Sequence, residues 1–156
     1  MPRLISASSA LLTPVSFRVG RNSNYSHTSG NAVGFNKTSG DFFHNIGGHY
    51  NSSNGRFTVP FPGRYIFHCC IIWQDIPNNE DMTDSWRFGI NGNQKSYSER
   101  RSNYVVGSTG GGGYFTDFGS DIFDLAQGDY VTVIGKRTRT IHGNEHYCRF
   151  SGAQLV

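Results

Sequence analysis

The chain has 156 residues and a formal net charge of +3, with 20 glycines, 12 phenylalanines and 8 tyrosines but only 16% charged residues. This length fits a single domain that can bury its own core, and the composition favours strands and tight turns over helices. The sequence has no 18-residue apolar run, which excludes a membrane-spanning helix. The small positive charge and the short basic clusters at 99–101 and 136–139 are typical of solvated loops, so a nucleic-acid partner is not expected.

Residues 1–14 predict an irregular N-terminal arm that ends at Pro14, and residues 15–156 predict one β domain. Short apolar or alternating runs follow one another, separated by clusters of Gly, Pro, Asn and Ser. They predict strands at 15–20, 32–37, 42–50, 56–61, 64–73, 85–90, 94–101, 120–125, 130–138 and 147–156.

Three of these segments carry particular expectations. Within 56–61, the alternation places Phe57, Val59 and Phe61 on one face. The run 64–73 is almost continuously apolar, which predicts a central strand covered on both faces. Asn91-Gly92 predicts a hairpin turn, because both residues accept positive φ. The pattern as a whole predicts an all-β antiparallel sandwich or jelly roll.

Catalytic motifs are not evident, and we expect neither enzymatic activity nor a cofactor. The string His142 to His146 has the spacing of a zinc-protease motif, but that chemistry needs a helix and Gly143-Asn144 predicts a turn. The glycine-rich segment 107–115 lacks the Lys-Ser/Thr ending of a phosphate-binding loop. His68 is expected to be a core or interface histidine.

Clustered carboxylates and cysteines give two further candidate sites. Asp121 and Asp124 are a candidate calcium site, because hard cations prefer oxygen ligands. Neighbouring residues of a strand point to opposite faces, so at most one of Cys69 and Cys70 can face Cys148. The cysteines are therefore small buried hydrophobic residues or include one disulfide.

The stretch from Gly47 to Phe67, "GGHYNSSNGRFTVPFPGRYIF", closely resembles the signature of the globular head of complement component 1q, in the tumour necrosis factor-like superfamily. Three later segments resemble the family in the same order: "FGINGN", "DIFDLAQGDYVTV" and "RFSGAQLV". The resemblance covers about Ser16 to Val156. It implies a ten-stranded antiparallel jelly-roll sandwich that assembles as a tight homotrimer.

The same resemblance implies roles for particular residues. It places Cys148 on a strand beside Cys69 and Cys70, which makes Cys70–Cys148 the candidate disulfide. The residues expected to form the core and trimer scaffold are Phe17, Tyr50, Phe57, Tyr65, Phe67, Phe150 and Gly152.

Two functions of different classes follow from the resemblance. No collagen-like Gly-X-Y stalk or convincing signal peptide precedes the domain, which favours a virion protein: a capsid decoration (cement) protein or fibre tip that contacts capsid or fibre proteins or a host surface, as in bacteriophages. The alternative is an extracellular recognition module that binds glycans or protein ligands through loops at the trimer apex. Glycosylation at the sequons of Asn24, Asn36 or Asn51 would favour the alternative.

Overall fold

The computed structural model describes residues 14–77, 80, 82, 84–94 and 113–155. The predicted arm up to residue 13 and the segment 95–112 lie outside this range, so the domain boundary after residue 14 stays a prediction. Within the described residues, no helix is long and apolar enough to cross a membrane.

The described residues form twelve strands and a 3-10 turn, Ile46–Gly48. The strands are β1 (Ser16–Gly20), β2 (Tyr25–His27), β3 (His44–Asn45), β4 (Tyr50–Asn51), β5 (Arg56–Thr58), β6 (Gly63–Ile76), β7 (Trp86–Ile90), β8 (Asn93–Gln94), β9 (Gly113–Leu125), β10 (Tyr130–Gly135), β11 (Arg139–Ile141) and β12 (Arg149–Leu155). More strands are present than the ten expected, because several are only two or three residues long.

Two antiparallel sheets face each other. The seven-stranded sheet has the order β2-β11-β6-β12-β1-β3, and β9 pairs with β6 along its whole length. The five-stranded sheet has the order β4-β5-β10-β7-β8. This all-β arrangement confirms the predicted jelly-roll fold, and it makes β6 the central strand of the larger sheet.

An aromatic core fills the space between the sheets. Phe17 on β1 packs against Phe57 on β5 with ring centroids 4.7 Å apart, and meets Phe150 on β12 edge-on at 4.8 Å. Burying each ring contributes roughly 1.5–3 kcal/mol to folding. All six aromatic residues of the predicted scaffold are buried in this core: Phe17, Tyr50, Phe57, Tyr65, Phe67 and Phe150. Gly152, the seventh residue of that scaffold, lies against the rings of Phe67 and Phe17.

Three local predictions were wrong. Phe61 is 48% exposed, because β5 ends at Thr58 and the Pro60–Pro62 corner leads the chain away from the core. Residues 32–37 form isolated bridges, Ala32 to Ile134 and Lys37 to Gly20, and no regular strand. The first half of β6 alternates between buried and accessible residues, so only one of its faces is covered.

The Asn91-Gly92 hairpin has the expected geometry. Asn91 has φ 52° and Gly92 has φ 80°, the two positive values that a tight turn between β7 and β8 requires. The predicted second strand of this hairpin, 94–101, is described only at Gln94.

Candidate functional site

The side of the seven-stranded sheet that points away from the core is accessible at alternate positions along its strands, and we call it the open face. Along β6, Tyr65, Phe67 and Cys69 point into the core, whereas Ile66 and His68 point to the open face. Within the described part of the chain, no second layer packs on this side. It leaves large apolar side chains exposed: Ile122 at 53%, Phe118 at 48% and Leu155 at 41%.

Strand register arranges the open face in rows that cross the sheet. One row is mostly apolar and runs through Ser16, Ala153, Ile66 and Ile122 on β1, β12, β6 and β9. The adjacent row is polar and carries the residues His44, Arg18, Ser151, His68 and Ser120.

A groove follows the polar row. Its larger part has a volume of about 450 Å³ and is lined by Arg18, His68, Cys70, Phe118, Arg149 and Ser151. Its smaller part, of about 300 Å³, shares Arg18, His68 and Ser151 and reaches Ile66 and His44. The open face thus combines an apolar row with a basic groove.

The arginines of the groove have incomplete hydrogen bonding. The Nε of Arg18 is buried and has no hydrogen-bond partner, and its guanidinium lies 6.0 Å from the ring centre of Phe43. Arg149 donates one hydrogen bond, from Nη1 to the carbonyl oxygen of His146 at 2.8 Å. Among the described residues, neither arginine forms an ion pair; Glu145 pairs with Lys37 instead.

The predicted Cys70–Cys148 disulfide is not formed, and all three cysteines are free thiols. Cys70 lines the groove on the open face, whereas Cys148 is buried on the core side, with its Sγ 3.1 Å from the backbone N of Ile72. Burial raises the pKa of Cys148 to about 12. As predicted from the alternation of strand residues, only one of Cys69 and Cys70 lies on the same side of the sheet as Cys148. That residue is Cys69, on the core side, and not Cys70.

The predicted calcium site is also not formed. Asp121 and Asp124 are three positions apart on β9, so their side chains leave opposite faces of the strand. Asp124 instead pairs with Arg64 at 3.2 Å. In the part of the chain that the structure describes, no group of three His, Cys, Asp or Glu side chains could hold a metal. The string from His142 to His146 lies between β11 and β12, outside any helix.

Sequence reasoning missed Arg18, Arg149 and Ser151. The signal was available within each strand, since Arg18 alternates with Phe17 and Val19, and Ser151 lies between Phe150 and Gly152. It could not be interpreted without the register that joins β1 to β12 and β12 to β6. His68, expected in the core or an interface, lies exposed on the open face.

Comparisons with known proteins agree with this architecture. The C1q domain model matches residues 16–155. The structure is similar to the globular domain of zebrafish complement 1qA, with TM-score 0.59 and 18% identity over 92% of this chain and 98% of that one. It is also similar to murine APRIL (TM-score 0.56, 14% identity, 91% and 99% covered) and to Eiger TNF from S. frugiperda (TM-score 0.57, 12% identity, 92% and 94% covered).

No curated protein matches the sequence. These three structures are each less than 20% identical to the chain, so the likeness to them establishes the fold alone. The family model covers nearly the whole described domain, from the start of β1 to the end of β12. The chain therefore belongs to the C1q domain family.

Proposed function

We propose that this chain is a non-enzymatic, homotrimeric binding module whose copies associate through the open face. C1q and TNF-like domains typically form trimers, bind ligands or receptors and are generally non-enzymatic. The observation that carries the proposal is the apolar row through Ala153, Ile66 and Ile122, which a single chain leaves accessible to water. Contiguous apolar surface of this kind marks an interaction site, and a heterologous contact between copies closes into a ring of three when each copy is rotated by one third of a turn.

Light scattering coupled to size exclusion tests the proposal. We expect the wild-type chain to elute as a trimer at micromolar concentration. Ile122→Glu should shift the mass towards a single chain, because an unpaired carboxylate in an apolar interface is strongly destabilising. A monomeric wild-type protein at that concentration would rule the proposal out.

Phe61→Glu is the matched control. Phe61 is exposed to a similar extent, but it lies in the loop between β5 and β6, off the open face. We expect this variant to remain trimeric. If both variants lose the trimer equally, added negative charge rather than the open face explains the result.

For ligand contact we propose the loops, two of which carry an exposed aromatic side chain. Phe42 precedes β3, Tyr147 precedes β12, and His146 meets the Phe42 ring at a centroid distance of 6.4 Å. Exposed aromatic side chains are enriched at protein interfaces. A partner protein or a surface glycan is the expected ligand class.

More specifically, we propose that the chain is a virion component, either a capsid decoration protein or a fibre tip. Support comes from the free thiols at Cys69, Cys70 and Cys148, which suit a chain made in a reducing compartment. Mass spectrometry of native material tests this assignment. Recovery with purified particles and unmodified Asn24, Asn36 and Asn51 is expected; glycan on these exposed asparagines would favour the extracellular recognition module instead.

A further inference from the structure

We propose that the groove of the open face binds a tetrahedral oxyanion, phosphate or sulfate, between Arg18 and Arg149 above Ser151. The proposed function requires only that copies associate through this face. The oxyanion site is a property of the single chain, built from three neighbouring strands.

The pairing register of β1, β12 and β6 places the proposed hydrogen-bond donors around Ser151. Arg18 on β1 pairs directly with Ser151 on β12, and His68 on β6 pairs with it from the other side. Arg149 lies two positions earlier on β12 and points to the same face, about 7 Å away along the strand. Long arginine side chains span such a distance easily, so both guanidinium groups can reach one ion above the serine hydroxyl.

The two arginines that would hold the ion keep free donors: Arg18 Nε has no partner, and Arg149 uses Nη1 for its hydrogen bond to His146. A buried Arg18 Nε without a partner is costly, since a buried donor that has lost water and found no acceptor keeps its full desolvation penalty. The planar guanidinium of arginine matches the oxygen spacing of phosphate and sulfate, and such charge-assisted bonds are among the strongest in proteins. An oxyanion would supply the missing acceptor.

The charge around the groove also favours an anion. Three carboxylates on neighbouring elements are engaged elsewhere: Glu145 pairs with Lys37, Asp124 pairs with Arg64, and the buried Asp117 accepts a hydrogen bond from Ser85. The volume of about 450 Å³ is far more than one water needs, roughly 30 Å³. The groove can therefore admit a partly hydrated oxyanion.

Thermal unfolding in inorganic phosphate tests the site. Ionic strength is held constant with sodium chloride, and Tm is followed against phosphate concentration. We expect a saturable rise in Tm for the wild-type chain, because an ion that binds only the folded state stabilises it by mass action. Phosphate also stabilises proteins non-specifically, but that rise does not saturate.

The double variant Arg18→Gln/Arg149→Gln should lose the saturable rise. Each single variant should raise the Kd for phosphate by about tenfold or more, the cost of one charge-assisted interaction. The control is Arg56→Gln/Lys136→Gln, which removes the same charge from residues that lie away from the groove and should keep the saturable rise.

Two results would overturn the proposal: no saturable rise in the wild-type chain, or the same rise in the groove double variant. If that variant does not fold, Arg18→Lys/Arg149→Lys carries the test, since it keeps the charge and loses the guanidinium fork. Binding weakened at least about threefold supports the site, and unchanged binding refutes it. Light scattering on the same samples reports association separately, so a failed trimer is distinguished from a failed anion site.

Discussion

The two faces of the seven-stranded sheet share one backbone and have different compositions. On β6, β12 and β1 the core-facing positions carry large aromatic residues, Phe67, Phe150 and Phe17, beside smaller residues such as Val19 and Gly152. The alternate positions on the open face are small, basic or moderately apolar, as at His68 and Ser151. The period of two in a strand lets one segment serve both faces.

This difference reflects what each face contacts. The core face meets the five-stranded sheet permanently, so large rings fill it at close centroid distances. The open face meets solvent in the single chain and a partner in the proposed assembly. Its mixture of an apolar row and a basic groove is the kind of composition found at protein interfaces, which combine an apolar centre with polar surroundings.

Adjacent residues on β6 provide the strongest test of this comparison. Phe67→Ala should lower the free energy of unfolding by about 3–5 kcal/mol, because it leaves a cavity among the rings of Phe17, Phe57 and Phe150. His68→Ala, one position along, should change it by less than about 0.5 kcal/mol. Urea denaturation measures both.

Association must be kept out of this measurement, so both changes are introduced into the Ile122→Glu chain. Comparable losses in the two variants would contradict the comparison, because they would mean that the open face contributes to folding as much as the core does.

Two substitutions on β12, one on each face of the sheet, test the difference between the core face and the open face by adding atoms. A Cβ at Gly152 would lie 2.6 Å from Cδ1 of Phe67 and 2.8 Å from Cε1 of Phe17, closer than real contacts allow. Gly152→Ala should therefore cost about 1–3 kcal/mol of unfolding free energy through overpacking. Ala153→Val adds two methyl groups on the open face and should be almost neutral in the Ile122→Glu chain. If the two variants lost equal amounts of unfolding free energy, the side chains would be packed as tightly on the open face as in the core, which would contradict the comparison.

The sequence predicted the fold because strand period, turn residues and the Gly47–Phe67 motif all agree on one architecture. It identified the core-facing aromatics for the same reason. It did not identify the groove, since Arg18, Ser151 and His68 become neighbours only through register between strands that are far apart in the chain. The calcium prediction was wrong because closeness in sequence was taken for closeness in space, although three positions along a strand reverse the face.

The smallest predicted effect is the pH dependence of the free energy of unfolding, for which we compare His27 in the core with His68 on the open face. His27 is buried against Trp73 and Tyr25, and burial lowers its pKa below the usual value of 6.5. The unfolded chain then binds a proton more readily than the folded one, so stability from this residue is complete above about pH 6.5 and falls as the pH drops towards the folded pKa. The loss is at most about 1.4 kcal/mol per pH unit.

Denaturation at pH 7 and pH 5 measures this loss in the wild-type chain, His27→Leu and His68→Ala. We expect His27→Leu to reduce the pH dependence, because leucine cannot take up the proton. His68→Ala should retain the full dependence, since this substitution on the open face leaves the buried ring of His27 and its surroundings unchanged. If removing His68 rather than His27 flattened the profile, the open face would have to be desolvated in solution, and its contrast with the core would fail.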